Sequence, residues 1–216
     1  MFAMQHAGEI VGEQNLELTI ENTNFTTLDE NNFGLKFSGG NTPESTIKKL
    51  KFVNVEIDKM PISIKNVEKV VVDNLKIRDV KGRGLEVNSG NLDTEMEFNN
   101  LDITGCTEEA LYIYGSNDKI AKVEITDSKF ENNSSNPVLT SFNGTPLTPK
   151  HVYLRNIESL RITDSIFGVT NEDTINNISF QGVTSATLRD ISYTGDLSIV
   201  NNVVDTTIID LDEPEY

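Results

Sequence analysis

The sequence predicts an all-β solenoid in which the short strands of successive coils stack on one another. Two observations lead to this prediction. An eight-residue pattern of the form apolar-x-apolar-x-Asn/Asp-small or apolar-x-apolar recurs along the chain, and an apolar-x-apolar segment precedes most of its copies. Such period-2 segments are typical of half-buried strands. Short strands cannot bury their apolar faces alone, but stacking coil on coil buries them.

The eight-residue pattern is an internal repeat with a loose period. Its first residues lie 20 to 37 positions apart. The seven clear copies begin at Leu18, Leu50, Val70, Met96, Val123, Leu160 and Ala186, and a degenerate copy begins at Thr206.

The fifth position of the pattern is always Asn or Asp. These residues tolerate the left-handed backbone of a tight bend, and their side chains can form hydrogen bonds along a stack. The positions expected to form this ladder are Asn22, Asn54, Asn74, Asn100, Asp127, Asp164, Asp190 and Asp210. All eight fall in phase with the apolar residues, so we interpret them as structural rather than as a consequence of the 24 Asn residues in the chain.

The apolar-x-apolar segments predict a further strand in each coil. They begin at Leu35, Ile62, Leu85, Leu111, Val152, Ile178 and Leu197. We therefore expect about seven to eight coils of three short strands, each with the Asn/Asp bend between its second and third strands. Equivalent residues should stack along the solenoid. Phe130, Phe167 and Tyr193 should stack inside it, and Glu56, Lys76, Asp102 and Lys129 should form an outer row of alternating charge.

With this coil pattern and ladder, the chain resembles the right-handed parallel β-helix family, whose best-known members are pectate lyases. The resemblance covers nearly the whole chain and implies that the apolar-x-apolar segments form the family's first sheet. The main alternative is a leucine-rich repeat, which needs Asn one position later, where this chain has Val55, Leu75, Leu101 and Ile191. We predict a single right-handed parallel β-helix domain over residues 1–216, which could be a segment of a longer chain.

Composition limits the possible partners. The net charge of −16 argues against nucleic acid, which is bound through clustered Lys and Arg. No apolar run approaches the roughly 18 residues of a membrane span, so membrane insertion is not expected. The single cysteine, Cys106, cannot form an intrachain disulfide. The first eight residues lack the features of a signal peptide, yet an extracellular or cell-surface location is expected from the resemblance to surface β-helices.

The resemblance implies that a ligand would lie on the outer face of the first sheet. Tyrosine rings can stack on sugar rings, and arginine can bind a carboxylate through two hydrogen bonds. The candidate carbohydrate-binding residues are Glu86, Tyr112, Tyr114, His151, Tyr153 and Arg155. The nearby loop over residues 79–84 is expected to be a solvated turn, with an anion site as the alternative.

Two functional classes stay open. The first is a non-catalytic surface β-helix, such as an adhesin passenger, a fibre segment or a carbohydrate-binding segment, whose partner is a glycan or a host or cell-surface protein. The NTD, GHG, WIDH and RxPxxR segments of the family's enzymes are missing, and FENNSS resembles the FxxN repeats of autotransported surface proteins. The second class is a polysaccharide lyase acting on a uronate-containing glycan. No catalytic residue, metal ligand or cofactor is assigned, and Ca²⁺ is implied only for the lyase, with Glu86 as a ligand and Arg155 as the base.

The ends of the solenoid are expected to differ. Terminal coils expose unpaired strand edges. Asp212, Glu213 and Pro214 should discourage a further strand at the C-terminal end, so we expect self-association to occur through an open N-terminal coil.

Overall fold

Every regular element of the chain is a strand within the part that the structure describes. The computed structural model describes residues 4–5, 16–27, 34–40, 46–90, 93–115, 120–134, 150–168, 176–193, 196–199 and 205–208. The prediction of an all-β chain is thus confirmed. Within these ranges, no helix is long and apolar enough to cross a membrane.

The strands follow one another in a regular alternation of short and long elements. In chain order they are β1 (Met4–Gln5), β2 (Leu16–Thr26), β3 (Leu35–Ser38), β4 (Ile47–Asp58), β5 (Ile62–Lys65), β6 (Val67–Arg78), β7 (Leu85–Asn88), β8 (Glu95–Thr104), β9 (Leu111–Tyr114), β10 (Ile120–Thr126), β11 (Lys129–Glu131), β12 (Lys150–Arg155), β13 (Ile157–Gly168), β14 (Asn176–Gln181), β15 (Ser185–Tyr193), β16 (Asp196–Ile199) and β17 (Asp205–Ile208).

These strands form two parallel sheets. Among the described residues, sheet A has eight strands in the order β1-β3-β5-β7-β9-β12-β14-β16. Sheet B has nine, in the order β17-β15-β13-β10-β8-β6-β4-β2, with β11 pairing with β8 and β13. Each strand therefore pairs with its equivalents in the coils before and after it, which is the topology of a parallel solenoid. The strands predicted to begin at Leu35, Ile62, Leu85 and Leu111 begin at those residues.

The structure differs from the predicted coil in one respect. We expected two short strands on either side of the Asn/Asp bend. Most described coils have instead one long strand of sheet B, and among the described strands only β10 and β11 are separated at the bend. Pairing continues across the bend, because Val53 pairs with Asp73 before it and Val55 with Leu75 after it. A single residue in the left-handed conformation changes the direction of the strand without ending its ladder of hydrogen bonds.

The bend also keeps apolar residues inside on both of its sides. In β6 the buried residues are Val67, Val70 and Val72 before Asn74, and the pair Leu75 and Ile77 after it. Strict alternation would have turned this pair outward. Asn74 has a φ of 63°, and this extra residue shifts the alternation so that both halves of the strand face the core.

Seven of the eight predicted bend residues have positive φ. They are Asn22, Asn54, Asn74, Asn100, Asp127, Asp164 and Asp190, with φ between 49° and 63°. Asp210 and the C-terminal acids lie outside the described residues. Side-chain amides connect the four asparagines, since Asn54 donates to Asn22 at 3.3 Å, Asn74 to Asn54 at 2.9 Å and Asn100 to Asn74 at 3.2 Å.

A second stacked corner joins the strands of sheet A to those of sheet B. Asn66 follows β5 and Asn156 follows β12, both with positive φ. Their side-chain amides donate to the carbonyls of Gly39 and Gly115 in the preceding coils, at 3.2 and 2.8 Å. Gly182, with a φ of 66°, occupies the same corner beside Asn156. Sequence reasoning missed this corner, although an Asn directly after a first-sheet strand was a visible signal.

The core is a column of stacked side chains between the two sheets. Phe130 and Phe167 are both fully buried, and their rings stack at 5.1 Å with an interplanar angle of 16°. They are direct register partners, as predicted, and Tyr193 pairs with Phe167 in the next coil. The outer row of alternating charge is likewise confirmed in register, because Glu56, Lys76, Asp102 and Lys129 are successive partners.

Candidate functional site

The outer face of sheet A presents two rows of polar and aromatic side chains. Parallel, in-register pairing places one side chain of each coil directly beside its equivalent in the next coil. The first row is Glu86, Tyr112, Tyr153 and Ser179, of which Ser179 is fully buried, and the second is Asn88, Tyr114, Arg155 and Gln181. Five of the six candidate residues, all except His151, therefore lie in these rows.

Tyr112 and Tyr153 form a stacked pair. Their ring centroids are 5.1 Å apart and the rings are 19° from parallel. The guanidinium carbon of Arg83 lies 3.7 Å from the centroid of the Tyr112 ring. Arg83 precedes β7 and Tyr153 belongs to β12, and these strands flank β9 on opposite sides. Both faces of the Tyr112 ring are thus covered, so the expected stacking of a sugar on this ring is not open to it. Tyr112 can contact a ligand only with its edge and hydroxyl group.

Arg83 connects the aromatic pair to a group of carboxylates. Its Nε lies 3.0 Å from Oε2 of Glu109, and its Nη1 lies 3.4 Å from Oε2 of Glu86. Burial alone would lower the pKa of Arg83, but the carboxylates of Glu109 and Glu86 outweigh it and the pKa is raised. Arg83 therefore stays positively charged and neutralises Glu86, one of the predicted site residues.

The loop over residues 79–84 is thus not simply the solvated turn that we expected. Arg83 is half-buried, with both the Tyr112 ring and Glu109 as partners. Sequence reasoning missed Arg83 and Glu109 because both lie in corners before the strands, where alternation does not predict side-chain direction. The only available signal was the basic character of this loop.

Burial keeps the tyrosine hydroxyl groups protonated. It raises the pKa of Tyr112 and of Tyr153, and the nearby arginines Arg83 and Arg155 only partly oppose this effect. The Tyr153 hydroxyl donates a hydrogen bond to Oε1 of Gln181 in the next coil. At neutral pH the Tyr112 hydroxyl group is therefore protonated and can donate or accept a hydrogen bond, whereas that of Tyr153 can accept one from a ligand.

Arg155 and Tyr114 form the centre of the second row. The guanidinium carbon of Arg155 lies 4.9 Å from the centroid of the Tyr114 ring. The Nε of Arg155 is buried and has no hydrogen-bond partner among the described residues. The Arg155 side chain as a whole is half-buried, so its guanidinium group can still contact a ligand on this face.

His151 does not share the environment of the other candidates. Its backbone carbonyl accepts a hydrogen bond from the N–H of Ala110, a core residue of the neighbouring coil. The His151 side chain is 0% exposed. Neither ring nitrogen has a hydrogen-bond partner in the described ranges. Burial lowers the pKa of His151 to about 4, and the Phe130 backbone only partly opposes this effect. His151 is therefore a neutral residue of the interior.

The described carboxylates, histidine and cysteine of this region do not converge on one point. Within the described ranges, no three His, Cys, Asp or Glu side chains are grouped so that they could hold a metal ion. Glu86, which the lyase alternative would assign to Ca²⁺, forms an ion pair with Arg83 instead. Cys106 is buried, and burial raises the pKa of its thiol to about 12, so the thiol stays protonated.

Comparison with known protein families agrees with this geometry. A family model described as "Right handed beta helix region" matches residues 3–156 of the chain. Neither the comparison with curated proteins nor that with solved structures gives a match.

Proposed function

The chain belongs to the right-handed β-helix family, and from this premise we propose that it is a non-catalytic β-helix that binds a glycan through the outer face of sheet A. The observation that carries the proposal is the state of Arg83. It lies against the Tyr112 ring and between the carboxylates of Glu86 and Glu109. The pairing neutralises Glu86 and Glu109, whereas a lyase needs carboxylates that are free to bind a cation.

The geometry of the face suits a polymer more than a small molecule. Successive coils repeat at about 4.8 Å, so each coil offers a similar set of groups along the solenoid. The groups available are the edges and hydroxyl groups of Tyr112 and Tyr153, the Arg155 guanidinium and the Gln181 amide. Such groups form hydrogen bonds with the hydroxyl groups of sugars. A glycan lying along the solenoid would contact several coils, and each coil would contribute a modest part of the binding free energy.

We further propose an extracellular or cell-surface location, in an adhesin passenger or fibre, because polymeric glycans are found there. A host or cell-surface protein is the competing partner. The centre of a protein interface is depleted of charged residues, whereas on this face the charged pair of Glu86 and Arg83 lies beside Tyr112.

A glycan array followed by calorimetry of the glycan that binds best tests this proposal. Arg155→Gln and Tyr153→Phe should each weaken binding about tenfold, which corresponds to about 1.4 kcal/mol. Arg161→Gln is the matched control, because Arg161 is exposed on β13 of sheet B. Absence of any bound glycan, or equal affinities of wild type and Arg155→Gln, would contradict the proposal.

A further inference from the structure

A cleft of about 410 Å³ lies at the corner where the long strands β4, β6 and β8 end. This volume is within the range of small-molecule sites. The cleft is separate from the two rows on sheet A. It is lined by Lys59, Asp79, Val80, Lys81, Gly105 and Thr107.

Lys59 has an unusual backbone conformation for its residue type. It directly follows β4 and has a φ of 61°. Asp79 and Gly105 occupy the equivalent positions in the next two coils, with φ of 53° and 79°. Gly tolerates the left-handed conformation because it has no Cβ, and Asp because its short polar side chain can form local hydrogen bonds. Lys has neither feature. A strained residue that lines a cleft is grounds for a functional hypothesis.

The two lysines of the cleft are also uncompensated. Among the described residues, neither the Lys59 nor the Lys81 ammonium group makes a hydrogen bond or an ion pair, and both side chains are exposed. The arginines nearby differ, since Arg78 pairs with Asp102 and Arg83 with Glu109. The lining has two lysines against the single carboxylate of Asp79, so in a chain with a net charge of −16 the cleft is a locally positive site that can attract an anion.

Thr107 adds a hydrogen-bond donor to the cleft. Its Oγ1 accepts a hydrogen bond from the Gly82 backbone N–H at 2.8 Å, which leaves the hydroxyl hydrogen available for a ligand. Asp79 is the one acidic residue of the lining. Its Oδ1 lies close to Gly105, where an added Cβ would be only 2.5 Å away, so a side chain at this position would collide with the carboxylate.

We propose that this cleft binds an oxyanion group, a carboxylate or a sulfate, carried by a polar ligand. Lys59 and Lys81 supply the opposite charge and Thr107 a directed hydrogen bond, which together are the groups that recognise an oxyanion. Asp79 accepts a hydrogen bond from a hydroxyl group of the same ligand. The proposal does not depend on the function proposed for sheet A, because none of these six residues belongs to that face.

Amide chemical shifts of the isotope-labelled protein test the proposal. The protein is titrated with sodium acetate and, separately, with sodium sulfate, against sodium chloride at the same ionic strength. We expect saturable shifts of the Gly82, Gly105 and Thr107 amides. Saturation by acetate assigns the group to a carboxylate, and saturation by sulfate assigns it to a sulfate.

Variants separate the site from general charge effects. Lys59→Asn removes the charge and keeps a residue that tolerates positive φ, so its melting temperature should equal or exceed that of the wild type. The double variant with Lys81→Gln should bind at least about tenfold more weakly. Lys76→Gln, an exposed lysine of β6, is the control and should bind unchanged. Shifts that do not saturate with either anion, or a double variant that binds as the wild type does, would overturn the proposal.

Discussion

Single residues at the bends determine whether both halves of each long strand face the core. Asn22, Asn54, Asn74 and Asn100 combine a left-handed backbone with a chain of amide hydrogen bonds. At the same position the following coils have Asp127, Asp164 and Asp190, which keep the backbone but, when ionised, can only accept hydrogen bonds. The amide chain therefore ends at Asn100 among the described bend residues.

This difference predicts a stabilising substitution. Asp127→Asn would add an amide that can donate to Oδ1 of Asn100, in the same direction as the three existing bonds. It also removes one of a series of like charges. We expect a gain of about 0.5–1 kcal/mol in the free energy of unfolding, measured by chemical denaturation.

Two further variants are compared with Asp127→Asn, one as a neutral control and one as a destabilising variant of the amide chain. Asp93→Asn, at an exposed position outside the bends, should change stability little. Asn100→Leu should cost about 1–3 kcal/mol, because it removes the bond to Asn74 and places a branched side chain at positive φ. A destabilised Asp127→Asn protein would show that the amide chain does not contribute as described.

His151 predicts how stability depends on pH. Its folded pKa of about 4 is lower than the unfolded value of about 6.5. The unfolded chain therefore takes up a proton first as the pH falls. The stabilising contribution is complete above pH 6.5 and is lost between about pH 6.5 and 4, by up to roughly 3 kcal/mol.

Urea denaturation at several pH values measures this loss. His151→Leu should reduce the slope of stability against pH in that range. At pH 7 it should be neutral or stabilising, because the wild-type ring nitrogens are buried without partners in the described ranges. An unchanged slope in the variant would assign the acid sensitivity to other groups.

The positions and register of the strands are the features that the sequence predicted best. Period-2 alternation placed the start of β3, β5, β7 and β9, and the repeat placed Phe130 opposite Phe167. The same register brought Glu86, Tyr112 and Tyr153 side by side.

The features that could not be predicted from the sequence lie in the corners between strands. There the side-chain direction depends on the φ of individual residues rather than on alternation. For this reason the amides of Asn66 and Asn156 and the contact of Arg83 with Glu109 were not predicted. The burial of His151 was missed for the same reason, since it precedes the alternating part of β12.

The stacked phenylalanines predict a clear difference between two neighbouring residues of β13. Phe167 is fully buried against Phe130, whereas Ile166 is 46% exposed. Phe167→Ala should cost about 3–5 kcal/mol through lost contacts and a cavity. Ile166→Thr, its matched control, should stay within about 0.5 kcal/mol of the wild type. Thermal unfolding with equal losses in both variants would contradict the assignment of Phe167 to the core.

The solenoid as a whole is less well covered at its N-terminal coil. Leu18 and Ile20 of β2 are only half-buried, whereas their register partners Leu50 and Phe52 in β4 are fully buried. The edge of β2 is also the end of the described sheet B. Exposed edges and apolar side chains promote association between copies.

We therefore predict concentration-dependent association of the chain. Sedimentation velocity over a concentration series should show dimers, and Leu18→Lys should shift the distribution to monomers. Thr187→Lys, on β15, is the control and should leave association unchanged. A strictly monomeric wild type would show that this coil is covered.

The central proposal is that the face of sheet A binds a glycan without turnover. To test it, the protein is incubated with a uronate-containing glycan selected on the array, in the presence of Ca²⁺. The ultraviolet absorbance of the unsaturated product that a lyase would form is followed over time. We predict that the glycan is bound and recovered intact, with no rise in absorbance. A steady rise that Arg155→Gln abolishes would contradict this and identify the chain as a polysaccharide lyase.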